Sequence, residues 1–115
     1  MTDDYHVRYQ CYSVVWPISN RDFVLLRSQK RGGDGVIHAW DVSTESEKMP
    51  EQKGNVRGKV VCAGYCYVPT GENECELTYV MCMDPAGSIP HMVVNAATGK
   101  VAKRVFDLSE LGKTL

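Results

Sequence analysis

No apolar run in this 115-residue sequence approaches the ~20 residues that a spanning helix needs. Charge of one sign is missing too. Thirteen Lys and Arg stand against 14 Asp and Glu, a net charge of −1. That balance gives no electrostatic basis for nucleic-acid binding or for strong attraction to anionic membranes. The start, Met1-Thr2-Asp3-Asp4, is acidic and has no apolar stretch of the secretory kind, so a cytoplasmic protein is expected. There are no internal repeats, no low-complexity tract and no interdomain linker, so residues 1–115 are read as a single domain.

The residues of catalysis are equally sparse. Ser43, His38 and Asp41 lie close in sequence, but His38 and Asp41 are three apart, and on a strand they face opposite sides. There is no other nucleophile–base pair, no paired carboxylates and no phosphate loop, so an enzyme is not expected. The five cysteines (Cys11, Cys62, Cys66, Cys75, Cys82) are odd in number and sit in strand-like apolar runs. They read as buried, reduced thiols. Cys62 and Cys66 share a strand face, but a metal would need two more ligands, and the three histidines are scattered. No metal and no cofactor are expected.

What is present is a series of strands. Tyr5–Trp16 is rich in aromatic and β-branched residues. Pro17, which has no N–H to give a ladder, and Ser19-Asn20 mark a corner. The strand Arg21–Lys30 follows, then the turn Gly32-Gly33-Asp34-Gly35 and a returning strand Val36–Ser43. Thr44–Gly54 is polar and contains Pro50, a loop. Val56–Val68 reads as one long strand with Gly58 and Gly64 as bend or bulge points, and Cys75–Asp84 as the last strand. Beyond Pro85-Ala86-Gly87 the period changes. Ile89, Val93, Ala96/Ala97, Val101, Val105 and Leu108 recur at helical steps, with Ser88 as the expected cap. The expected fold is α+β: an antiparallel sheet of about five strands followed by a C-terminal α-helix packed across it.

One strand carries an unusual residue. Strand alternation puts Phe23, Leu25 and Arg27 on one face. A cation embedded in an apolar face is costly unless paired, so Arg27 implies a carboxylate or a ligand beside it. Val61, Ala63, Tyr65 and Tyr67 would line the same wall if alternation holds through Gly64. Met92, Val93, Ala96 and Ala97 would form a lid. Trp16 and Trp40 read as packing residues or, at a rim, as membrane contacts.

Four blocks carry a family resemblance: WPISNRDFVLLR (16–27), MPEQKGNVRG (49–58), ELTYVMCMDPAGSIP (76–90) and VVNAATGKVAKRVF (93–106). In this order and spacing the chain resembles the C-terminal half of the START lipid-transfer domain, a partial helix-grip fold, and is most similar to its phosphatidylcholine-transfer branch. The resemblance implies a lipid tunnel between sheet and closing helix, with Arg27 facing it. It implies an amphipathic lipid ligand (phospholipid, sterol or ceramide), transient membrane contact and no nucleic acid. The positions matching the choline cage of phosphatidylcholine-binding relatives are Gln10, Phe23 and Val61, of which one is aromatic. Strands of the family's N-terminal half have no counterpart here. A bare sheet edge and a half-covered face are therefore expected, and with them a homo-oligomer. The alternative is a non-catalytic protein-interaction or regulatory subunit that self-associates through that face.

Overall fold

A computed structural model describes residues 3–112. Six strands and one helix follow in order: β1 (Asp3–Tyr12), β2 (Asn20–Arg31), β3 (Ile37–Ser43), β4 (Asn55–Arg57), β5 (Lys59–Gly71), β6 (Glu74–Asp84) and α1 (His91–Gly112). The sheet runs β1-β2-β3-β5-β6, with β4 added beside β2. All neighbours are antiparallel except β2 and β4, which are parallel through Asn20↔Asn55 to Asp22↔Arg57. Short turns join β2 to β3 and β5 to β6, as antiparallel neighbours allow. The Trp16–Pro17 peptide at the expected corner is cis.

The long strand expected over 56–68 is two strands. Gly58 separates them, and its N–H donates to Asp22 O at 2.9 Å. The reason is a close approach: a Cβ at this position would lie 2.4 Å from Phe23 Cε1. β4 thereby occupies the part of the β2 edge that β3 does not reach. A β-bulge between Val60 and Cys62 then breaks the alternation of β5. Val60 is buried with Phe23, Leu25 and Ala63 in one core cluster. Val61 is left 56% exposed. The expected register placed Val61 on the Arg27 face; the bulge gives that place to Val60.

Pairing registers divide the sheet into two faces. One carries Phe23, Leu25 and Arg27 with their partners Gln10, Arg8, Asp41, Tyr65 and Tyr79. The other carries Asp22, Val24 and, at mostly exposed positions, Cys11, Cys62, Cys66 and Cys82. The thiols are free, as expected. They are not buried: four of the five are exposed and Cys66 is half-buried, and no described element covers the face of β5 and β6 that carries Cys62, Cys66 and Cys82.

Helix α1 begins at His91, with Val93 N bonded to Pro90 O, so Ser88 lies outside it. The helix stands off from the sheet. Among the described residues no Cα of α1 comes within 8 Å of a strand Cα. The radius of gyration is 16.1 Å, against about 13 Å for a compact chain of this length. Val93, Val94, Val101 and Val105 are half-buried, whereas Met92, Ala96 and Ala97 are exposed. At 100° per residue, Val94, Val101 and Val105 form one line, and Met92 and Ala96 fall on the opposite side. Met92 and Ala96 are thus turned away from the sheet-facing line, contrary to the lid expected from them. The side chain of Leu108 lies outside the described residues.

Candidate functional site

The Arg27 face holds a polar pole within its apolar surround. The hairpin register sets Arg27 directly across from Asp41. Arg27 donates Nε to Asp41 Oδ1 at 2.7 Å and Nη2 to Oδ2 at 2.6 Å, a bidentate pair. From β1, Arg8 donates Nη2 to the same Oδ2 at 3.0 Å. The side chains of Arg8, Arg27 and Asp41 are 30%, 15% and 4% exposed. Asp41 raises the Arg27 pKa above its ordinary value by accepting both hydrogen bonds, against the opposing effect of burial. Arg27 Cζ also lies over the Tyr65 ring, 5.5 Å from its centroid.

Tyrosines flank this pole. Tyr65 stacks on Tyr79 with centroids 4.5 Å apart and on Tyr67 at 6.1 Å. Burial pushes the Tyr79 phenol up to about 12, with Tyr65 adding to it. Tyr12 meets Phe23 edge-on at 5.8 Å and donates its hydroxyl to Gln10 Oε1. Burial raises the Tyr12 pKa, opposed by the charges of Arg8 and of Arg104 on α1. Tyr12 is therefore within electrostatic reach of α1. This face of the sheet is the one the helix overlooks.

Of the residues expected to line a cavity, Arg27, Tyr65, Tyr67 and Gln10 are half-buried on this face. Phe23, Leu25 and Ala63 are on the same face but only 1%, 2% and 7% exposed. They are core beneath the wall rather than its surface. Val93 is the half-buried member of the expected lid, and Val61, Met92 and Ala96 are not brought to the site. Arg8, Tyr12 and Tyr79 were not singled out in the sequence, and Asp41 was weighed only as a triad member and not as the partner of Arg27. The signal for Asp41 was available: a tight turn at residues 32–35 pairs Arg31 with Ile37, and counting back pairs Arg27 with Asp41. A shallow depression of about 250 Å³ lined by His38, Trp40, Cys66 and Val80 opens mainly on the opposite face and meets residues of the pole side only at Ala39 and Tyr65.

Two other charged clusters are structural. Arg21 donates to the backbone oxygens of Ser19, Pro85 and Ala86, tying the proline corner to the turn before α1. Asp22, fully buried, accepts from Arg57 Nε at 2.8 Å and from Tyr9 Oη at 2.9 Å. Arg57 in turn donates to Met49 O and Pro50 O, anchoring the loop 44–54. The Arg57 hydrogen bond holds the Asp22 carboxyl below its ordinary pKa despite burial. An unfolded Asp titrates near 3.9; the folded value is lower, so the unfolded chain binds protons first. The stabilisation is present in full above about pH 5 and is lost as pH falls through the folded value. Denaturant midpoints measured from pH 6 to pH 2.5 should fall steeply for the wild type. The Asp22→Asn variant should be less stable at pH 7 and show a flatter decline.

An antiparallel sheet overlooked by one long terminal helix, with a guanidinium–carboxylate pole on the face the helix overlooks, defines a helix-grip type of α+β domain. The START domain family model matches residues 1–109, and the chain belongs to that family. Human START domain-containing protein 10 is 33% identical over 107 residues, which is 92% of this chain and 36% of that protein. The crystal structure of human STARD10 superposes with a TM-score of 0.76 at 28% identity, covering 93% of this chain and 46% of that one. Human StAR-related lipid transfer protein 5 gives 0.79 at 28% identity, covering 93% and 52%. The ceramide transfer protein of Xenopus laevis is 31% identical over 115 residues, 85% of this chain and 18% of that protein. The chain spans 36% of that curated START domain-containing protein and about half of each solved chain.

Proposed function

We propose that the chain is a lipid-binding module of the lipid-transfer kind, holding one amphipathic lipid between the Arg27 face and α1. The observation that carries this reading is a half-buried guanidinium pole on the sheet face that α1 overlooks, with the helix Cα atoms all more than 8 Å from the strand Cα atoms among the described residues and its valine line only partly covered. Apolar walls with a few convergent polar groups are the usual make-up of a ligand site. The chain's similarity to a StAR-related lipid transfer protein and to a ceramide transfer protein supports it. Phospholipid, sterol and ceramide are the candidate ligands. The exposed pair Val15 and Trp16, at 72% and 88%, is proposed as the transient membrane contact. No helix among the described residues is long and apolar enough to cross a membrane, and a cytoplasmic location is proposed. The reading is non-catalytic: Asp41 is engaged by two arginines and faces away from His38.

A second reading has its own support. Strand β6 ends the sheet, and its stretch 77–83 (LTYVMCM) carries no charge and no proline. Such an edge invites strand addition. In this reading the chain works as a non-catalytic regulatory subunit that self-associates or pairs with another chain along this edge. Native mass spectrometry separates the two. A protomer carrying a lipid-sized adduct, with saturable uptake of a fluorescent phospholipid or sterol, is the expected result. A stable dimer with no extractable lipid and no saturable uptake would replace the first reading by the second.

A further inference from the structure

Two arginines share one carboxylate at the pole, so one positive charge there has no partner in the cluster. Arg27 takes both oxygens of Asp41, and Arg8 reaches only Oδ2. Arg8 Nε is buried and has no hydrogen-bond partner, alone in this among the side chains of the described residues. A buried donor left unpaired loses its hydration without replacement. It belongs to a side chain that is still 30% exposed, on the sheet face that α1 overlooks. A neutral hydroxyl could meet the spare N–H but not the spare charge. A quaternary ammonium would meet neither, and its aromatic cage is not assembled: Phe23 is core and Val61 is turned out at the bulge.

We infer that Arg8 is a specificity-determining residue that selects a lipid with a single anionic oxyacid headgroup, carboxylate or phosphate, over neutral and choline-bearing lipids. The inference rests on the lipid-binding reading above. In the filled site one anionic oxygen accepts from Arg8 Nε, and its charge offsets the excess guanidinium. The apolar body lies along Tyr65, Tyr79 and the valine line of α1. Arg27 stays on Asp41 and keeps the carboxylate fixed.

The test uses the whole chain and tail-matched fluorescent probes. Pyrenedodecanoic acid and pyrenedodecanol form one pair; a pyrene-labelled phosphatidic acid and the corresponding diacylglycerol form the other. The expected result is at least tenfold tighter binding of the anionic member in one pair or both. Which pair shows it tells carboxylate from phosphate. Arg8→Gln should abolish the preference, weakening the anionic probe about tenfold and changing the neutral one less than twofold. Arg8→Lys should recover part of it. Because Arg27 still holds Asp41, Arg8→Gln should melt within a few degrees of the wild type. Equal binding of acid and alcohol by the wild type, or equal loss of both in Arg8→Gln, overturns the role of Arg8 and leaves lipid binding standing. Failure of all four probes to bind overturns the role of Arg8; if a fluorescent sterol and a fluorescent phosphatidylcholine also fail to bind, the lipid-binding reading falls with it.

Discussion

Asp41→Ala should be the most damaging single substitution at the polar pole. It leaves the Arg8 and Arg27 guanidiniums side by side, both partly desolvated, with no counter-charge. Removing one partner of a buried pair costs about 3–5 kcal/mol, because the survivor remains buried and unpaired. Here the arginines are 30% and 15% exposed, so the low end, about 3 kcal/mol, is expected. For a domain whose whole stability is about 5–15 kcal/mol that is a large share, equivalent to a fall of about 10 °C in Tm. Replacing the whole cluster, Arg8→Met/Arg27→Met/Asp41→Leu, should cost much less, since apolar replacement of every partner is often near neutral. Thermal melts of the single and triple variants check this. A loss under about 0.5 kcal/mol for Asp41→Ala would mean that the pole is hydrated like a surface pair.

Gly58→Ala should be the second large loss, on the opposite side of the same core. The added methyl would sit 2.4 Å from Phe23 Cε1 and 2.7 Å from Cζ. Phe23 cannot step aside, being 1% exposed and braced edge-on by Tyr12. Overpacking of this kind costs about 1–3 kcal/mol, and the backbone clamp from Gly58 N to Asp22 O puts it at the upper end. Phe23→Leu should relieve part of the clash, so the double variant should be less damaged than the sum of the singles. Gly99→Ala is the control. Nothing lies within 4 Å of its added methyl, and an exposed helical glycine replaced by alanine should gain about 0.5–1 kcal/mol. Denaturant titrations of the four variants decide it. Additive losses in Phe23→Leu/Gly58→Ala would show that the two sites do not press on each other.

Local signals in the sequence were enough for most of the fold. Strand period, the glycine turn at 32–35, the proline corner and the shift to helical spacing after Gly87 located every element except β4, which was merged with β5, to within a few residues. Two places departed from that reading. At Gly58 a strand was cut because a distant ring, Phe23, occupies the space a side chain would need. At Val60–Cys62 a bulge reversed the facing of Val61. Neither is visible in a strand's own composition, since each is set by a partner across the sheet. The site shows the same division. Arg27 stood out in the sequence because a cation in an apolar face demands a partner. The partner was Asp41, first considered only as a failed triad member, and the second cation, Arg8, was passed over. Sequence distance hid both, for they meet through register across three strands.

Alternation and turn chemistry, which act between near neighbours along the chain, determined that this is a meander of strands ending in a helix, with a charge facing inward. Tertiary structure alone decided which residues meet that charge, which valines of the helix look toward the sheet, and that the helix stands clear of it. Those outcomes follow from pairing registers and burial, which are properties of several strands at once and of the space between them.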